Sequence, residues 1–332
     1  MSQACPSGML EVLAAFLAAL LSTPIAIRIG KALKIEGVDV HKPWRPRVPK
    51  TGGLALIAGS SLAILIYIVG SHGDSAAAAL LISSLIAASI GLVEDVREEI
   101  DPRLKPLLLI LAALPILFLG TFTPRPVIPF LGRSRLYKVY PVMILLAYPI
   151  VCNAVNSLDV LNGSMIATSA PFFAMSAVIF YLRGDYPSMI FSLIMLASLL
   201  AILPYNRYPA KVFLGNSGSL FTGAAMASIA IIGRIEIAAI ITLLPQIMNE
   251  MHVIFSLGGI KSAKQAKSRP VEIENGKLKA SRDKSAPITL LRMLCAEVLV
   301  DERQAVRAMA FLASFTALLG LITDLVFVEG FL

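Results

Sequence analysis

Stretches of about twenty apolar residues, separated by short polar links, limit what this chain can become more than any other feature. A helix needs ~20 mostly apolar residues to cross the hydrocarbon core of a bilayer. By that rule spans are predicted at 8–28, 52–70, 75–93, 104–121, 139–157, 164–183, 186–204, 212–232, 235–257 and 305–328. Composition agrees. The chain is 57% hydrophobic and 15% charged, where a soluble domain carries roughly a quarter charged residues. With a mean hydropathy of +0.80, the apolar excess has to face lipid. The fold class expected is therefore an all-α polytopic membrane protein of about ten transmembrane helices, a single transmembrane domain over 1–332. Frequent Gly, Ala and Ser suit close helix packing in lipid. The first span has no basic segment ahead of it and runs the full crossing length, so it reads as a span rather than a cleavable signal.

Orientation follows from Lys and Arg placement. With the N-terminus outside, most of them fall in the links 28–51, 94–105, 204–211 and 258–304. Only Arg125, Arg133, Arg135, Lys138, Arg183 and Arg234 fall in the opposite links, and Arg307 lies in the last span. The basic links are thus predicted to be cytoplasmic, with 121–140 a local exception. The net charge of +8 is then a matter of topology and of attraction to membrane lipids. Nucleic acid is a poor partner, because the charges lie between spans. Cys5, Cys152 and Cys295 are isolated, and His41, His72 and His252 are scattered, so no zinc pattern arises. No Walker-type phosphate loop is present. Asn162-Gly163-Ser164 matches a glycosylation sequon but is predicted inside, where that modification does not occur.

Four polar islands share the cytoplasmic side. The first is Glu94-Asp95, followed by Arg97, Glu98, Glu99, Asp101, Arg103 and Lys105. Adjacent carboxylates at a helix exit can bind a hard cation or hold a base near a phosphate. A solvated helix cap explains them equally well. The second is Asn153, Asn156, Asp159 and Asn162-Gly163. If helical, its three-residue steps keep the polar groups on one slowly rotating face. They suit a cation or polar ligand, or else interhelical hydrogen bonding. The third, Asn206 to Leu220, contains Lys211 and Gly215-Asn216-Ser217-Gly218-Ser219. A helix starting there would turn free N–H groups toward an anion, unless the small residues only pack. The fourth is the loop 258–304, with Lys261, Lys264, Lys267, Arg269, Arg282 and Lys284. Its Asn275-Gly276 predicts a short β-hairpin. Such a basic loop can clamp a diphosphate or simply rest on anionic headgroups.

In order and spacing these islands resemble the polyprenyl-phosphate N-acetylhexosamine-1-phosphate transferase superfamily, of glycosyltransferase family 4 type, from about residue 28 to the C-terminus. The likeness is closest to the UDP-GlcNAc:dolichyl-phosphate GlcNAc-1-phosphate transferases of archaea and eukaryotes. Glu94-Asp95 stands where that family usually has Asp-Asp, and Lys105 at its lysine. Asn153-Ala-Val-Asn156 and Asn162-Gly163 match its amide motifs. Pro209 to Ser219 matches its Gly-Asp-Thr-Gly-Ser segment, with Asn216 at the metal-binding Asp. Pro245-Gln246 with Asn249, and Lys267-Ser-Arg269-Pro270, resemble its ninth helix and basic loop.

The resemblance implies ten helices and a cytoplasmic active-site face. It implies catalytic roles for Asp95, Lys105 and Glu94, and substrate binding by Asn153, Asn162, Gly163, Lys211, Asn249, Lys267 and Arg269. A Mg²⁺ site (with Mn²⁺ as the alternative) would be formed by Asn156, Asp159 and Asn216, Asp159 supplying the charge that Asn216 lacks. UDP-GlcNAc and a polyprenyl or dolichyl phosphate would be the substrates, in an archaeal cell membrane, and a homodimer is compatible. Asp95 need not act as a base, since a phosphate monoester with a second pKa of ~6 is largely dianionic at neutral pH. It would orient the nucleophile or tune Lys105. The alternatives are another UDP-N-acetylhexosamine donor or, in another class, a nucleotide-sugar or lipid-linked-sugar transporter.

Overall fold

The computed structural model describes residues 7–97, 100–129, 131–261 and 265–327. Cys5, Glu98, Glu99 and Lys264 lie outside them. The chain is mostly helical, as the apolar stretches dictate. The long helices are α1 (Ser7–Ala32), α2 (Gly52–Gly70) and α3 (Ser75–Arg97). The segment 104–118 is a broken helix, α4 (Leu104–Leu109) and α5 (Leu114–Phe118), joined by a 3-10 turn. Then come α6 (Tyr140–Ser157), α7 (Ser164–Arg183), α8 (Tyr186–Asn206), α9 (Gly215–Ile232), α10 (Glu236–Thr242), α11 (Leu244–Leu257), α12 (Leu290–Leu294) and α13 (Glu302–Phe327).

Among the described residues seven helices are long and apolar enough to cross a membrane: α1, α2, α3, α6, α7, α8 and α13. Counting α10 and α11 as one span bent by 62° makes eight. Pro245, which has no N–H to continue the ladder, follows the break. This is a multi-pass membrane protein. Two of the ten predicted spans do not meet the same test, for different reasons. The segment Leu104–Phe118 is too short. Fifteen residues rise only ~22 Å, against a hydrocarbon core of ~30 Å. Helix α9 opens on Gly-Asn-Ser-Gly-Ser and is buried from Ser217 to Ile231, so protein rather than lipid surrounds it. It has no need to be uniformly apolar.

Close backbone approach makes α9 the axis of the bundle. A Cβ on Gly91 of α3 would overlap the backbone of Asn216 and Ser217, and one on Gly53 of α2 would overlap Gly218. Gly223 similarly meets the backbone of Cys152 on α6. The hydroxyls of Thr222 and Ser228 donate to carbonyls of their own helix at 2.8 Å each, which removes the penalty of burying them. Around this axis pack Phe172, Phe173, Phe191 and Phe221 on one side, and Leu109, Ile116, Ile144 and Tyr148 on the other.

Among the described residues three two-stranded antiparallel ribbons complete the fold. The ribbon of β1 (Glu36–Val38) and β2 (Arg47–Pro49) leads into α2, and that of β3 (Val127–Ile128) and β4 (Gly132–Arg133) lies between α5 and α6. In the third, β5 (Val271–Glu274) pairs with β6 (Lys277–Ala280). Asn275 and Gly276 take φ of 51° and 75°, the left-handed pair that a two-residue hairpin needs, as expected. This hairpin is not a loose strap. Val271, Leu278, Leu291 and Cys295 form a small core with Leu161, Ala305 and Met309, which seats the loop on the start of α13.

Candidate active site

The end of α3, the end of α6, the start of α9 and the segment before α2 meet at one end of the bundle. Asp95 is the centre of this meeting and is 4% exposed. The N–H of Asn216 donates to Asp95 Oδ1 at 2.9 Å, and the N–H of Ser217 to Asp95 Oδ2 at 2.9 Å. The Asn216 amide adds a third bond, from Nδ2 to Oδ1 at 3.2 Å. Helix α9 has no capping side chain of its own, so Asp95 caps it from across the bundle. A carboxylate at a helix N-terminus satisfies free donors and meets the positive end of the dipole. Gly215 makes the approach feasible. Its φ is +71°, and a Cβ there would lie 2.5 Å from the Lys50 carbonyl and 2.7 Å from Asp95 Oδ2.

Asn156 completes the group. Its Nδ2 donates to Asn216 Oδ1 at 2.8 Å and to Ser219 Oγ at 2.7 Å. Asp159 follows just past the end of α6, half-buried. Burial and the nearby charge of Asp95 push its pKa up to about 7. Asp159 has no side-chain hydrogen bond or ion pair among the described residues. Two carboxylates therefore act on each other beside two amides. That is a donor set of hard oxygens which a divalent cation fits. Among the described residues no three His, Cys, Asp or Glu side chains converge, so further ligands would have to be amide oxygens or water.

Glu94 and Lys105 pair with each other at 2.8 Å, both largely buried. The lysine's charge also acts on Glu250 of α11. The expected tuning of Lys105 by Asp95 is thus replaced by a direct pair with Glu94. Helical periodicity explains this: consecutive residues of α3 point in different directions, so only one can face α9.

The ladder of three-residue steps does not continue as a helical face. Helix α6 stops at Ser157. Ser164 Oγ accepts from the N–H groups of Val160 and Leu161 at 3.2 and 3.1 Å, and Gly163, with φ of +82°, starts α7. Asn153 turns back to donate to the Pro149 carbonyl at 2.8 Å. Asn162 joins a second cluster instead. Its Oδ1 accepts from Lys42 Nζ at 2.9 Å and from the Ala210 N–H at 2.7 Å, and its Nδ2 donates to Asp39 at 3.0 Å. Its own N–H donates to Glu302 at 2.9 Å. Lys42 also pairs with Asp39 and, at 3.4 Å, with Glu302. Lys42 and Arg303 lie 4.7 and 4.8 Å from the centre of the Tyr208 ring. Asn249 is likewise spent on structure: it donates to Ser157 O and Oγ at 3.1 and 2.9 Å and accepts from the Leu290 N–H at 2.7 Å. Lys211, Lys267 and Arg269 are exposed, and Arg269 acts electrostatically on His41.

Sequence reasoning missed Lys50, whose charge acts on Asp95, Glu250, and the acids Asp39 and Glu302 around Lys42. Lys50 stands directly before Thr51-Gly52-Gly53. A cation ahead of a glycine pair that allows close packing was the available signal.

The family model for glycosyl transferase family 4 matches residues 77–234. A relative from Saccharolobus solfataricus is 31% identical over 249 residues, 73% of this chain and 76% of the relative. The chain belongs to glycosyl transferase family 4. That relative carries the provisional name UDP-N-acetylglucosamine–dolichyl-phosphate N-acetylglucosaminephosphotransferase. The phospho-N-acetylmuramoyl-pentapeptide-transferase of Clostridium novyi is 29% identical over 271 residues, 76% of this chain and 82% of its own. A provisionally named undecaprenyl-phosphate N-acetylglucosaminyl 1-phosphate transferase of Bacillus subtilis is 31% identical over 237 residues, 68% of this chain and 64% of its own. The matched family region holds α3, α6 and the start of α9, and with them Asp95, Asn156, Asp159 and Asn216.

Proposed function

We propose that this protein transfers GlcNAc-1-phosphate from UDP-GlcNAc to a polyprenyl (dolichyl) phosphate, giving polyprenyl-diphospho-GlcNAc and UMP. The reading places ten crossings in an archaeal cell membrane with the Asp95 end facing the cytoplasm, where Lys and Arg are concentrated. Helix α9 is then a crossing enclosed mainly by protein, and the broken segment 104–118 one that turns Leu104, Leu107, Leu111 and Phe118 outward. The observation that carries the proposal is the meeting of Asp95 and Asp159 with Asn156 and Asn216 at the start of α9, inside the family region.

The acceptor phosphate, largely dianionic at neutral pH, attacks the sugar-bearing phosphorus of the donor. The diphosphate P–O bond breaks, and UMP leaves with its electron pair. No side chain has to remove a proton. Phosphoryl transfer rests chiefly on positioning and electrostatic stabilisation. Asp95, held by three N–H donors, fixes the start of α9 and faces the reacting groups from one side. Asp159, with amide oxygens of Asn156 and Asn216, would hold Mg²⁺, with Mn²⁺ as the alternative. When bound, the ion would neutralise diphosphate oxygens and the departing charge. Lys267 and Arg269, exposed on the loop, hold the donor diphosphate, and Lys211 adds charge beside α9. Asn153 keeps its Oδ1 for a ligand. Asn162, Gly163 and Asn249 act by positioning, because the two amides are spent on the junctions around the site. Lys105, paired with Glu94, sets the position of α4 against α3.

Purified protein incubated with sugar-labelled UDP-GlcNAc, dolichyl phosphate and Mg²⁺ should give labelled lipid and UMP, with loss of both in Asp95→Asn. Absence of lipid product with every UDP-N-acetylhexosamine, while protein in liposomes moves nucleotide sugar, would reverse the choice between enzyme and transporter. A second donor reading is favoured by the Clostridium novyi relative, whose match covers 82% of its length. A panel of UDP-N-acetylhexosamines, UDP-MurNAc-pentapeptide included, separates the two.

A further inference from the structure

The lysines near the candidate site differ in what they already hold. Lys42 is enclosed by Asp39, Asn162 and Glu302, and Lys105 is paired with Glu94. Lys50 is half-buried, and among the described residues its ammonium has no hydrogen bond or ion pair. Its backbone is fixed from both sides. The Lys50 N–H donates to the Ile35 carbonyl at 3.0 Å, and the Phe213 N–H donates to the Pro49 carbonyl at 2.8 Å. The N–H groups of Gly52 and Gly53 donate to the carbonyls of Phe213 and Leu214 at 2.9 Å each. The Lys50 carbonyl and Asp95 Oδ2 flank the same Cα of Gly215. The side chain has a prepared path, since its Cε lies 2.8 Å from where a Cβ on Gly37 would be, with Phe213 3.5 Å from the same point.

We propose that Lys50 binds a phosphoryl oxygen of a substrate at this site, a role that rests on the transferase reading. An ammonium beside the site with no protein acceptor among the described residues is open to an anion, and two phosphate-bearing substrates bring acceptors to it. Lysine serves here as a compact point charge on a flexible stem. Lys50 supplies the cation that Lys105, committed to Glu94, does not. The oxyanion belongs to the acceptor's phosphomonoester or to the donor's diphosphate, and both present the same chemistry to the ammonium.

The test uses the intact protein in nanodiscs. Binding of UDP-GlcNAc and, separately, of farnesyl phosphate is measured by calorimetry for wild type, Lys50→Met, Lys50→Arg and Gly37→Ala, with thermal unfolding of each. Loss of one charge-assisted hydrogen bond should weaken one of the two ligands roughly ten- to hundredfold in Lys50→Met. Lys50→Arg should retain most of the affinity. Gly37→Ala, which crowds the stem but keeps the charge, should weaken the same ligand to a smaller extent. The ligand affected identifies which phosphate Lys50 holds. A Lys50→Met protein that melts like wild type and binds both ligands equally well overturns the proposal. So does one that loses only kcat. Should wild type bind both ligands yet form no lipid product, the transferase reading fails while the Lys50 site stands.

Discussion

Two polar clusters lie at the same end of the helix bundle, and both are made of acids, amides and a lysine. Around Lys42, the amide and N–H of Asn162, the carboxylates of Asp39 and Glu302 and the N–H of Ala210 are joined to one another. Around Asp95, the start of α9 is equally well held, but Asp159 and Lys50 keep charged groups that no described residue satisfies. The same residue types thus do opposite work. The first cluster ties the 33–51 segment, the α6–α7 turn, the Tyr208–Ala210 strip and α13 into one junction. The second leaves one carboxylate and one ammonium for something that arrives. Polar groups joined to one another in the interior make architecture, and charged groups without a protein partner beside them are open to a ligand.

That contrast breaks most easily at Lys42. Replacing it with Met strands Asp39 and Glu302 as unpaired buried charges, which should cost about 3–5 kcal/mol of stability. Thermal or denaturant unfolding in detergent reads the loss. Transfer per folded molecule should stay near wild type. A stable Lys42→Met protein with abolished transfer would move Lys42 from the junction into the site.

The matching change in the open cluster is Asp95→Asn. Transfer should fall about 10²–10³-fold, the scale of losing one positioned electrostatic group. The loss of stability should be smaller than in Lys42→Met, because an amide still accepts an N–H from α9. Residual activity should keep an acidic limb near pH ~6, set by the acceptor phosphate itself. Disappearance of that limb in the variant would make Asp95 a base after all.

The sequence shows much of this and hides a definite part. Apolar length located the long helices, because a run of about twenty apolar residues suits a membrane interior whether lipid or protein surrounds it. Seven of them, or eight with the bent pair, are long and apolar enough to cross a membrane. Helix α9 is shielded by protein, and 104–118 is interrupted by a 3-10 turn ahead of Pro115. Asn275-Gly276 specified its hairpin, since turn chemistry is local. Asp95, Asn156, Asp159 and Asn216 were legible as a group, because motif order survives without coordinates. The division between the two clusters was not. Whether Asn162 serves Asp95 or Lys42 depends on α6 ending at Ser157, a choice of one or two residues that periodicity does not resolve. Lys50 was hidden for a similar reason. It neighbours Asp95 only through the pairing of 49–53 with 213–214, a long-range contact without a local signature.

The charge left on Asp159 gives the open cluster a pH signature. Its pKa is about 7, against 3.8 for the free side chain. Between those values the folded protein keeps a proton that the unfolded chain has released. Without divalent cation, stability should therefore decline as pH rises from about 4 to about 7, then level off. Mg²⁺ should raise the melting temperature at pH 8 and do little at pH 5, where the carboxyl is protonated. Asp159→Asn should flatten both effects. A Mg²⁺ response that survives in Asp159→Asn would place the ion elsewhere.

The smallest effect is expected beside the closed cluster, and its sign is opposite. Burial lowers the pKa of His41 to about 4, opposed by Asp39 and reinforced by Arg269 and Lys42. From about 4 to 6.5 the unfolded chain binds a proton that the folded imidazole refuses. His41 therefore lowers stability as pH falls through that window, on the acid side, whereas Asp159 lowers it toward neutrality. His41→Asn should leave a shallower acid loss. Arg269 provides the finer test, because its charge reaches His41 from the basic loop. Arg269→Ala should raise the His41 pKa, read by NMR of the ring protons, without changing the unfolding temperature at pH 7. An unmoved titration would detach the loop's arginine from the 33–51 segment, and the closed cluster would then end at Glu302 rather than extend to the loop.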